Sequence, residues 1–173
     1  SRISNLSKDN PKCLLPIENT TIIGKSLKAF WSKGIKEIIV VTGFKNKILK
    51  NFLYDTWPGD IKIINNPYYN STNVLYSFSL ALPHLIGHDF IFLHADTIFD
   101  DLILDRLIKF EADENIVFAI QKKKCGDEEM KVKIKKENII FLSKEMPSQE
   151  AYGEFLGLAR IKANQIKNIQ EAT

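Results

Sequence analysis

The sequence has few cysteines and few histidines. Of its 173 residues, two are cysteine and three are histidine. Because no stretch has the character of a secretory segment, we expect Cys13 and Cys125 to remain thiols in the cytoplasm instead of forming a disulfide. The histidines, His84, His88 and His94, lack the spacing of metal ligands. The sequence therefore predicts neither a disulfide-stabilised secreted domain nor a metal centre built from cysteine and histidine.

An excess of one charge and long apolar runs are also missing. The chain has 24 basic and 21 acidic residues, for a formal net charge of +3, so we predict no nucleic-acid partner. No apolar run approaches the roughly 20 residues that a membrane-spanning helix needs, so we predict no membrane insertion. Hydrophobic residues make up 45% of the chain, enough for one core, and we expect residues 1–173 to form a single domain.

Helix-like and strand-like segments alternate along most of the chain. Apolar residues recur at helical spacing near residues 22–31, 48–53, 74–85 and 104–108. Short apolar runs typical of buried strands lie between them, at 37–43, 61–65, 89–95 and 116–120. After residue 130 several strand-like segments follow without helices between them. This order predicts an α/β fold, with helices on both faces of a mostly parallel, mixed sheet.

The predicted strand at 89–95 ends on a carboxylate, Asp96. In open α/β sheets, ligands bind beyond the carboxyl ends of the strands, so Asp96 is well placed to hold a divalent cation against phosphate oxygens. An aspartate in this position can also begin a turn or, with Asp100 and Asp101, cap the next helix. Both interpretations stay open at this point.

Three motifs occur in a fixed order along the chain. Arg2 is followed by Pro11-Lys12 and an apolar Leu-Leu-Pro segment, an Asn-Pro loop at 66–73 leads into a helix, and Asp96 ends a strand. In this order they resemble the nucleotidyltransferases that activate phosphorylated sugars or alcohols, and most closely the cytidylyltransferases acting on phosphocholine or 2-aminoethylphosphonate. The resemblance implies a Rossmann-like three-layer nucleotidyltransferase fold.

The family's N-terminal strand, its glycine-rich loop and the C-terminal end of its domain have no counterpart in the printed sequence. We therefore expect residues 1–173 to be a fragment of the full domain. The family also commonly has glycine where this chain has Ala95, which leaves the backbone before Asp96 less freedom to approach a nucleotide.

The resemblance implies transfer of a cytidylyl group from CTP to a small phosphorylated alcohol or aminoalkylphosphonate, with release of pyrophosphate. Lys12 and Arg2 would bind the phosphates as catalytic cations, and Asp96 would bind Mg²⁺, the expected cofactor. A further acidic ligand of the metal is expected beyond Thr173.

Two groups of residues are candidates for substrate recognition within this resemblance. Thr72, Asn73 and Ser77 are predicted to contact the nucleotide, although Thr72 or Asn73 could equally cap the following helix. Lys144 and Glu154 are predicted to bind the acceptor, although both could be ordinary surface charges on strands.

Other functions remain open. A sugar-1-phosphate nucleotidyltransferase with a different base preference has similar motifs, and a nucleotide-binding or scaffold domain without turnover could keep the same fold. A homodimer is also an open possibility. The sequence predicts a cytoplasmic protein whose partners are CTP and a small phosphorylated or phosphonate acceptor.

Overall fold

The computed structural model describes residues 10–110 and 116–172, and no helix in these ranges is long and apolar enough to cross a membrane. A 3₁₀ turn at Lys12–Leu14 precedes the first strand. The helices and strands then follow as β1 (Pro16–Ile17), β2 (Thr20–Thr21), α1 (Ile22–Ser32), β3 (Glu37–Thr42), α2 (Asn46–Thr56), β4 (Asp60–Asn65), α3 (Val74–Ala81), β5 (Phe90–Leu93), α4 (Asp101–Lys109), β6 (Ile116–Gln121), β7 (Lys131–Lys135), β8 (Asn138–Ser143), β9 (Gly153–Ile161) and α5 (Ile166–Ala172).

The helix boundaries follow from local chemistry. Helix α1 begins after Thr21, whose side chain accepts a hydrogen bond from the backbone N–H of Gly24 at 3.1 Å and so satisfies a free donor of the first turn. Helix α3 is shorter than the predicted segment 74–85. It ends at Ala81, and a 3₁₀ turn at Leu82–His84 follows, because Pro83 has no backbone N–H to continue the helix.

The described strands form three sheets: β1 with β2, β3 with β4, and a five-stranded sheet built around β9. Strands β3 and β4 pair in parallel over their full length. Strands β5 and β6 both pair antiparallel with β9 and therefore run in the same direction as each other. Direct parallel pairing in the described residues is limited to β3 and β4. Antiparallel ladders are therefore more frequent than the prediction of a mostly parallel sheet implies. The reason is that β9 lies between β5 and β6.

Strand β9 organises the site because its two edges have different neighbours. β6 pairs with β9 from Ile161 back to Glu154 along one edge. The other edge pairs first with β5, at residues 158–161, and then with β7, at Gly153 and Glu154. The end of β5 and the start of β7 therefore lie on the same edge of β9, separated only by the short stretch of that edge between these two ladders.

Helices cover both faces of the sheet. Ile91 and Leu93 of β5 pack against a buried cluster that includes Leu104 of α4. The alternate residues, Phe90 and Phe92, point to the other face, where their rings lie 6.0 and 5.2 Å from the ring of Phe78 in α3. This alternation is what a strand between two helical layers requires.

The predicted burial of β3 and β5 is only partly right. The sequence predicts strands buried on both faces, whereas Ile38–Val41 of β3 and all four residues of β5 are half-buried. Each of these strands has one edge without a strand partner among residues 10–110 and 116–172. Side chains at an open edge have no neighbouring strand to cover them, so these strands are less buried than their apolar sequences predict.

Candidate active site

Asp96 lies where β5 ends and β7 begins along the edge of β9. The backbone N–H of His94 donates to the carbonyl of Gly157 at 2.8 Å, and the hydroxyl of Thr97 donates to the carbonyl of Leu156 at 3.3 Å. Between these two anchored residues the carboxylate of Asp96 is exposed. It forms no ion pair with any described residue. A fixed, exposed carboxylate at a strand end can accept a cation.

The turn that contains Lys12 lies beside Asp96. Cys13 is 6% exposed and belongs to a buried cluster against which Ala95 packs. Burial raises the pKa of Cys13 to about 11, and the nearby negative charge of Asp96 adds to this rise. Lys12 is exposed between the buried Pro11 and Cys13. The structure therefore brings the predicted cation and the predicted carboxylate to neighbouring positions on the same cluster.

Asn66 fixes the loop that holds the predicted nucleotide contacts. This residue is 1% exposed, and its amide donates to the hydroxyls of Thr72 at 3.1 Å and Ser77 at 3.0 Å. Its side-chain oxygen accepts from the backbone N–H of Tyr68 at 2.8 Å. Thr72 and Ser77 are thus held together by one buried side chain, and each has an oxygen already engaged within the protein.

Asn73 caps helix α3. Its side-chain oxygen accepts a hydrogen bond from the backbone N–H of Tyr76 at 3.1 Å, which is the capping role that the sequence left open. The amide nitrogen of Asn73 donates to no residue in the described part of the chain. Asn73 is an exposed residue, so this nitrogen remains available to a ligand.

Glu154 is paired with a lysine. Its carboxylate lies 2.7 Å from the ammonium of Lys123, which is also 3.2 Å from the carboxylate of Glu129. Hydrogen bonds to Glu154 and Glu129 raise the pKa of Lys123, and the bond to Lys123 lowers the pKa of Glu129. Because Glu154 lies in β9 opposite the start of β7, this triad is next to the strand end that holds Asp96.

Lys131 is buried beside the same triad. The side chain is 1% exposed, and its ammonium donates to the backbone carbonyls of Lys144 at 2.5 Å and Asp127 at 3.5 Å. Lys131 thus lies buried within an alternating stretch of charged and apolar residues at 131–134. Lys144, the predicted acceptor ligand, contributes its carbonyl to the contact while its side chain stays exposed.

His94 is packed between aromatic rings. Its ring centroid is 5.1 Å from that of Phe92 and 6.0 Å from that of Phe155. Burial lowers the pKa of His94, while the charge of Asp96 opposes this change. Gly157 makes the packing possible, since it has a φ of +75° and an added Cβ would lie 2.8 Å from the imidazole. The histidine therefore fills space beside Asp96.

Comparison with known proteins now identifies the family. Residues 2–161 match the family described as the MobA-like NTP transferase domain. The chain belongs to this family.

Two curated relatives in sequence are cytidylyl enzymes by name. The CTP:phosphoglutamine cytidylyltransferase of Campylobacter jejuni is 33% identical over 132 residues, which cover 72% of this chain and 50% of that protein. The CMP-5'-(3-aminopropyl)phosphonate synthase of Streptomyces rubellomurinus is 29% identical over 108 residues, 62% of this chain and 17% of the relative. The chain thus spans half or less of the length of these relatives.

The fold has a close structural counterpart. The inositol-1-phosphate CTP transferase from T. maritima superposes with a TM-score of 0.82 at 15% identity, covering 99% of this chain and 69% of that structure. The predicted nucleotidyltransferase fold and the predicted family resemblance are therefore confirmed. The roles of individual residues remain predictions, and Arg2 lies outside the described residues.

The described residues offer one carboxylate to a metal ion. No group of three or more histidine, cysteine, aspartate or glutamate side chains in the described ranges could hold a metal by itself. Magnesium often uses only one or two protein carboxylates together with substrate phosphates and water. Asp96, exposed and without an ion pair among the described residues, fits that limited requirement.

Sequence reasoning missed two buried polar residues, Asn66 and Lys131. Asn66 precedes a proline, and an Asn-Pro pair after a strand is a signal for a turn held by its own side chain. Lys131 has no comparable signal, because its ammonium is held by two backbone carbonyls, of Asp127 and Lys144, that lie outside the strand pattern.

Proposed function

We propose that the complete protein transfers a cytidylyl group from CTP to a small phosphorylated alcohol or aminoalkylphosphonate and releases pyrophosphate. The main support is the proximity of Lys12 and Asp96 around one buried cluster in a chain of this family. The names of both relatives, which contain CTP and CMP, support cytidine as the base.

The reaction needs positioning and positive charge more than a base. An oxygen of the anionic acceptor attacks the α-phosphorus of CTP, a new P–O bond forms, and the bond from that phosphorus to the departing pyrophosphate breaks. Because the attacking group is already ionised at neutral pH, no protein group has to remove a proton. The obstacle is repulsion between two polyanions, which fixed cations relieve.

Lys12 is the described cation best placed for this task. Lys12 is exposed, its neighbour Cys13 shares a cluster with Ala95, and it forms no ion pair with described residues, so phosphate oxygens can meet its ammonium without displacing a protein carboxylate. Arg2 would grip two oxygens with its planar guanidinium. Asp96 would hold Mg²⁺, which when bound supplies positive charge shared among phosphate oxygens.

The loop held by Asn66 is the proposed site for the base. The amide nitrogen of Asn73 can donate to a pyrimidine acceptor, and the hydroxyl of Ser77 can donate as well, since its oxygen accepts from Asn66. Thr72 already donates its hydroxyl to the carbonyl of Tyr68 at 2.8 Å. We therefore assign the direct contacts to Asn73 and Ser77 and a supporting position to Thr72.

The acceptor would bind beside Glu154 and Lys144. Lys144 has an exposed ammonium that suits the acceptor's phosphate or phosphonate. Glu154 suits a cationic amine, but that amine must replace Lys123, 2.7 Å from the carboxylate. We also propose a cytoplasmic location, since both cysteines are free thiols and thiols persist in that compartment.

Pyrophosphate release by the complete protein tests the proposal. CTP, UTP, dTTP, ATP and GTP are each combined with phosphocholine, 2-aminoethylphosphonate and sugar 1-phosphates, with and without Mg²⁺. We expect release with CTP and a non-sugar acceptor in the presence of Mg²⁺. Preference for UTP or dTTP with a sugar phosphate would support the sugar enzyme instead, and absence of release with every pair would support a binding domain.

A further inference from the structure

Lys131 is a buried charge that has no role yet in the proposed reaction. Among the described residues it is the only buried residue with a charged side chain, and 1% of its surface is exposed. It takes part in no ion pair with a described residue. Burying an ammonium group without a counter-ion is unfavourable, so a lysine in this position calls for an explanation.

Two backbone carbonyls hold this ammonium. The carbonyl oxygen of Lys144 accepts a hydrogen bond from it at 2.5 Å, and that of Asp127 accepts one at 3.5 Å. The first carbonyl belongs to the residue whose side chain is the proposed ligand of the acceptor. The second belongs to the loop that carries Glu129, a partner of Lys123. One buried side chain therefore connects the two segments that carry the charges of the acceptor side.

Strand register places Lys131 on the same face of the sheet as Glu154. Lys131 of β7 lies opposite Glu154 of β9 on one side and opposite Ser143 of β8 on the other. Residues directly opposite each other in antiparallel strands point to the same face, with their Cβ atoms about 5 Å apart. Lys131 is therefore at the centre of a polar row that runs from Glu154 to the last residue of β8, directly before Lys144.

The peptide group after Lys144 is held from both of its ends. Its carbonyl accepts from the ammonium of Lys131. Its N–H, which belongs to Glu145, donates to the hydroxyl of Ser143 at 3.0 Å. Because a peptide group is planar, hydrogen bonds to both its oxygen and its nitrogen fix the orientation of the whole plane. This orientation sets the backbone from which the Lys144 side chain extends.

We infer that Lys131 is a positioning residue of the acceptor side, whose buried ammonium fixes the peptide group between Lys144 and Glu145 and so directs the Lys144 side chain toward the acceptor. The inference rests on the proposed function, in which Lys144 binds the phosphate or phosphonate of the acceptor. A lysine side chain is long and flexible, so a fixed backbone reduces the freedom that binding has to remove. Lys131 acts through Lys144 and does not itself contact the acceptor.

Lys131→Met removes both hydrogen bonds and keeps an unbranched side chain of similar length. In the complete protein, pyrophosphate release is measured against the concentrations of CTP and of phosphocholine or 2-aminoethylphosphonate. The KM for the acceptor should rise by roughly 10-fold, while the KM for CTP should stay within about 2-fold of the wild-type value. A purely structural role would reduce the folded fraction of the enzyme and change neither KM.

Lys133→Met is the matched control. It makes the same substitution two residues further along β7, where the lysine is partly exposed and pairs with Glu150. Both KM values should remain those of the wild type. An acceptor KM that rises equally in Lys131→Met and Lys133→Met would overturn the inference, because any lysine of the strand would then have the same effect.

A double-variant cycle tests whether Lys131 acts through Lys144. Lys144→Met alone should raise the acceptor KM by roughly 10-fold, since it removes the proposed ligand. If Lys131 only directs this ligand, Lys131→Met should have little further effect once the ligand is gone. The double variant should then stay near a 10-fold rise, whereas independent effects would multiply to about 100-fold. Multiplication would overturn the inference.

Ser143→Ala loosens the same peptide group and leaves the buried lysine in place. It removes the partner of the Glu145 N–H, so the acceptor KM should rise by roughly 2- to 5-fold. This variant keeps the inference testable if methionine at position 131 prevents folding, which circular dichroism would show. An acceptor KM that does not change in Ser143→Ala would contradict the inference.

Amide hydrogen exchange at Glu145 measures the fixed peptide group without any substrate. Exchange should be faster in Lys131→Met and Ser143→Ala than in the wild type and Lys133→Met. If exchange or the acceptor KM is unchanged in a folded, active Lys131→Met, the inference is overturned and the proposed function stands. If the wild type releases no pyrophosphate with any acceptor, the proposed function is overturned, and the role given to Lys131 is overturned with it.

Discussion

The strand-end region around Lys12 and Asp96 and the hairpin region of residues 122–150 manage their charges in opposite ways. In the first, the ammonium and the carboxylate are exposed and unpaired among the described residues. In the second, Lys123 is paired with two glutamates and Lys131 is held by carbonyls. An unpaired charge is ready for a ligand, whereas a paired charge must first be released. In the proposed mechanism, the nucleotide side is therefore preorganised, and the acceptor side is not.

Loss of an unpaired charge at the strand end should produce the largest effect. Asp96→Asn and Lys12→Ala should each reduce the rate of pyrophosphate release from CTP by roughly 100-fold or more, because each removes a group that acts on the transition-state charge in the proposed mechanism. Both side chains are exposed, so the free energy of unfolding should hardly change. Steady-state kinetics and urea unfolding measure the two quantities.

Nearby exposed residues provide matched controls for these variants. Asp101→Asn changes an acid in the first turn of α4, and Lys28→Ala removes an exposed lysine of α1. Activity close to wild type is expected for both. If Lys28→Ala lowers activity as much as Lys12→Ala, the proposed distinction between the strand end and the rest of the surface is wrong.

A charge of the hairpin region should matter for stability. Lys131→Ala removes a buried side chain and leaves the carbonyl of Lys144 without its donor, so we expect the free energy of unfolding to fall by about 3 kcal/mol. Lys133→Ala removes a partly exposed pair with Glu150 and should cost under about 1 kcal/mol. If both variants lose the same free energy of unfolding, the hydrogen bonds of Lys131 to backbone carbonyls do not stabilise the fold more than an exposed ion pair does.

The burial of Cys13, together with the nearby charge of Asp96, predicts a pH effect on stability. The thiol ionises with its ordinary pKa of 9.0 in the unfolded chain and with a pKa of about 11 in the folded protein. Unfolding therefore becomes easier as the pH rises from 9 to 11, with a loss of about 2 kcal/mol by pH 11. Urea unfolding at several pH values should show this decline, and Cys13→Ala should reduce it.

Asp96→Asn sharpens the same measurement. Without the carboxylate the pKa of Cys13 should move down toward its ordinary value, so the alkaline decline should begin at the same pH but end earlier. Cys125→Ser serves as the control, because Cys125 is buried in the hairpin region. An unchanged profile in Asp96→Asn would mean that the carboxylate lies too far from Cys13 to share a site with Lys12.

The sequence predicts the strand-end region better than the hairpin region for a physical reason. Strand β5 and the acid that follows it are encoded by a local apolar run and its end, so Asp96 could be located from neighbouring residues alone. The turn containing Lys12 is similarly marked by its prolines. Features of this kind depend on contacts close in sequence, and periodicity and turn chemistry can reveal them.

The hairpin region depends on contacts between distant parts of the chain. The partners of Lys123 are Glu129 and Glu154, and Lys131 is buried by the carbonyl of Lys144. No local pattern distinguishes these lysines from solvated ones such as Lys122 or Lys124. The half-burial of β3 and β5 was missed for the same reason, since an apolar run does not reveal which strand edges are paired.

The smallest effect expected concerns the choice of acceptor, and it tests whether the hairpin charges must be released. Lys123→Met removes the ammonium that pairs with Glu154, leaving the carboxylate free for a cationic acceptor. The ratio of kcat/KM for phosphocholine to that for phosphoglycerol, which has no amine, should rise by roughly 3- to 10-fold. The KM for CTP should stay constant, because the nucleotide side is unchanged.

Glu129→Gln is the matched control for this change. It removes the second partner of Lys123 but keeps the contact of 2.7 Å to Glu154, so the acceptor ratio should remain near that of the wild type. If Glu129→Gln and Lys123→Met shift the ratio equally, general electrostatics of the region explain the preference. If neither variant shifts it, the acceptor does not reach Glu154, and the paired charges of the hairpin have a structural role alone.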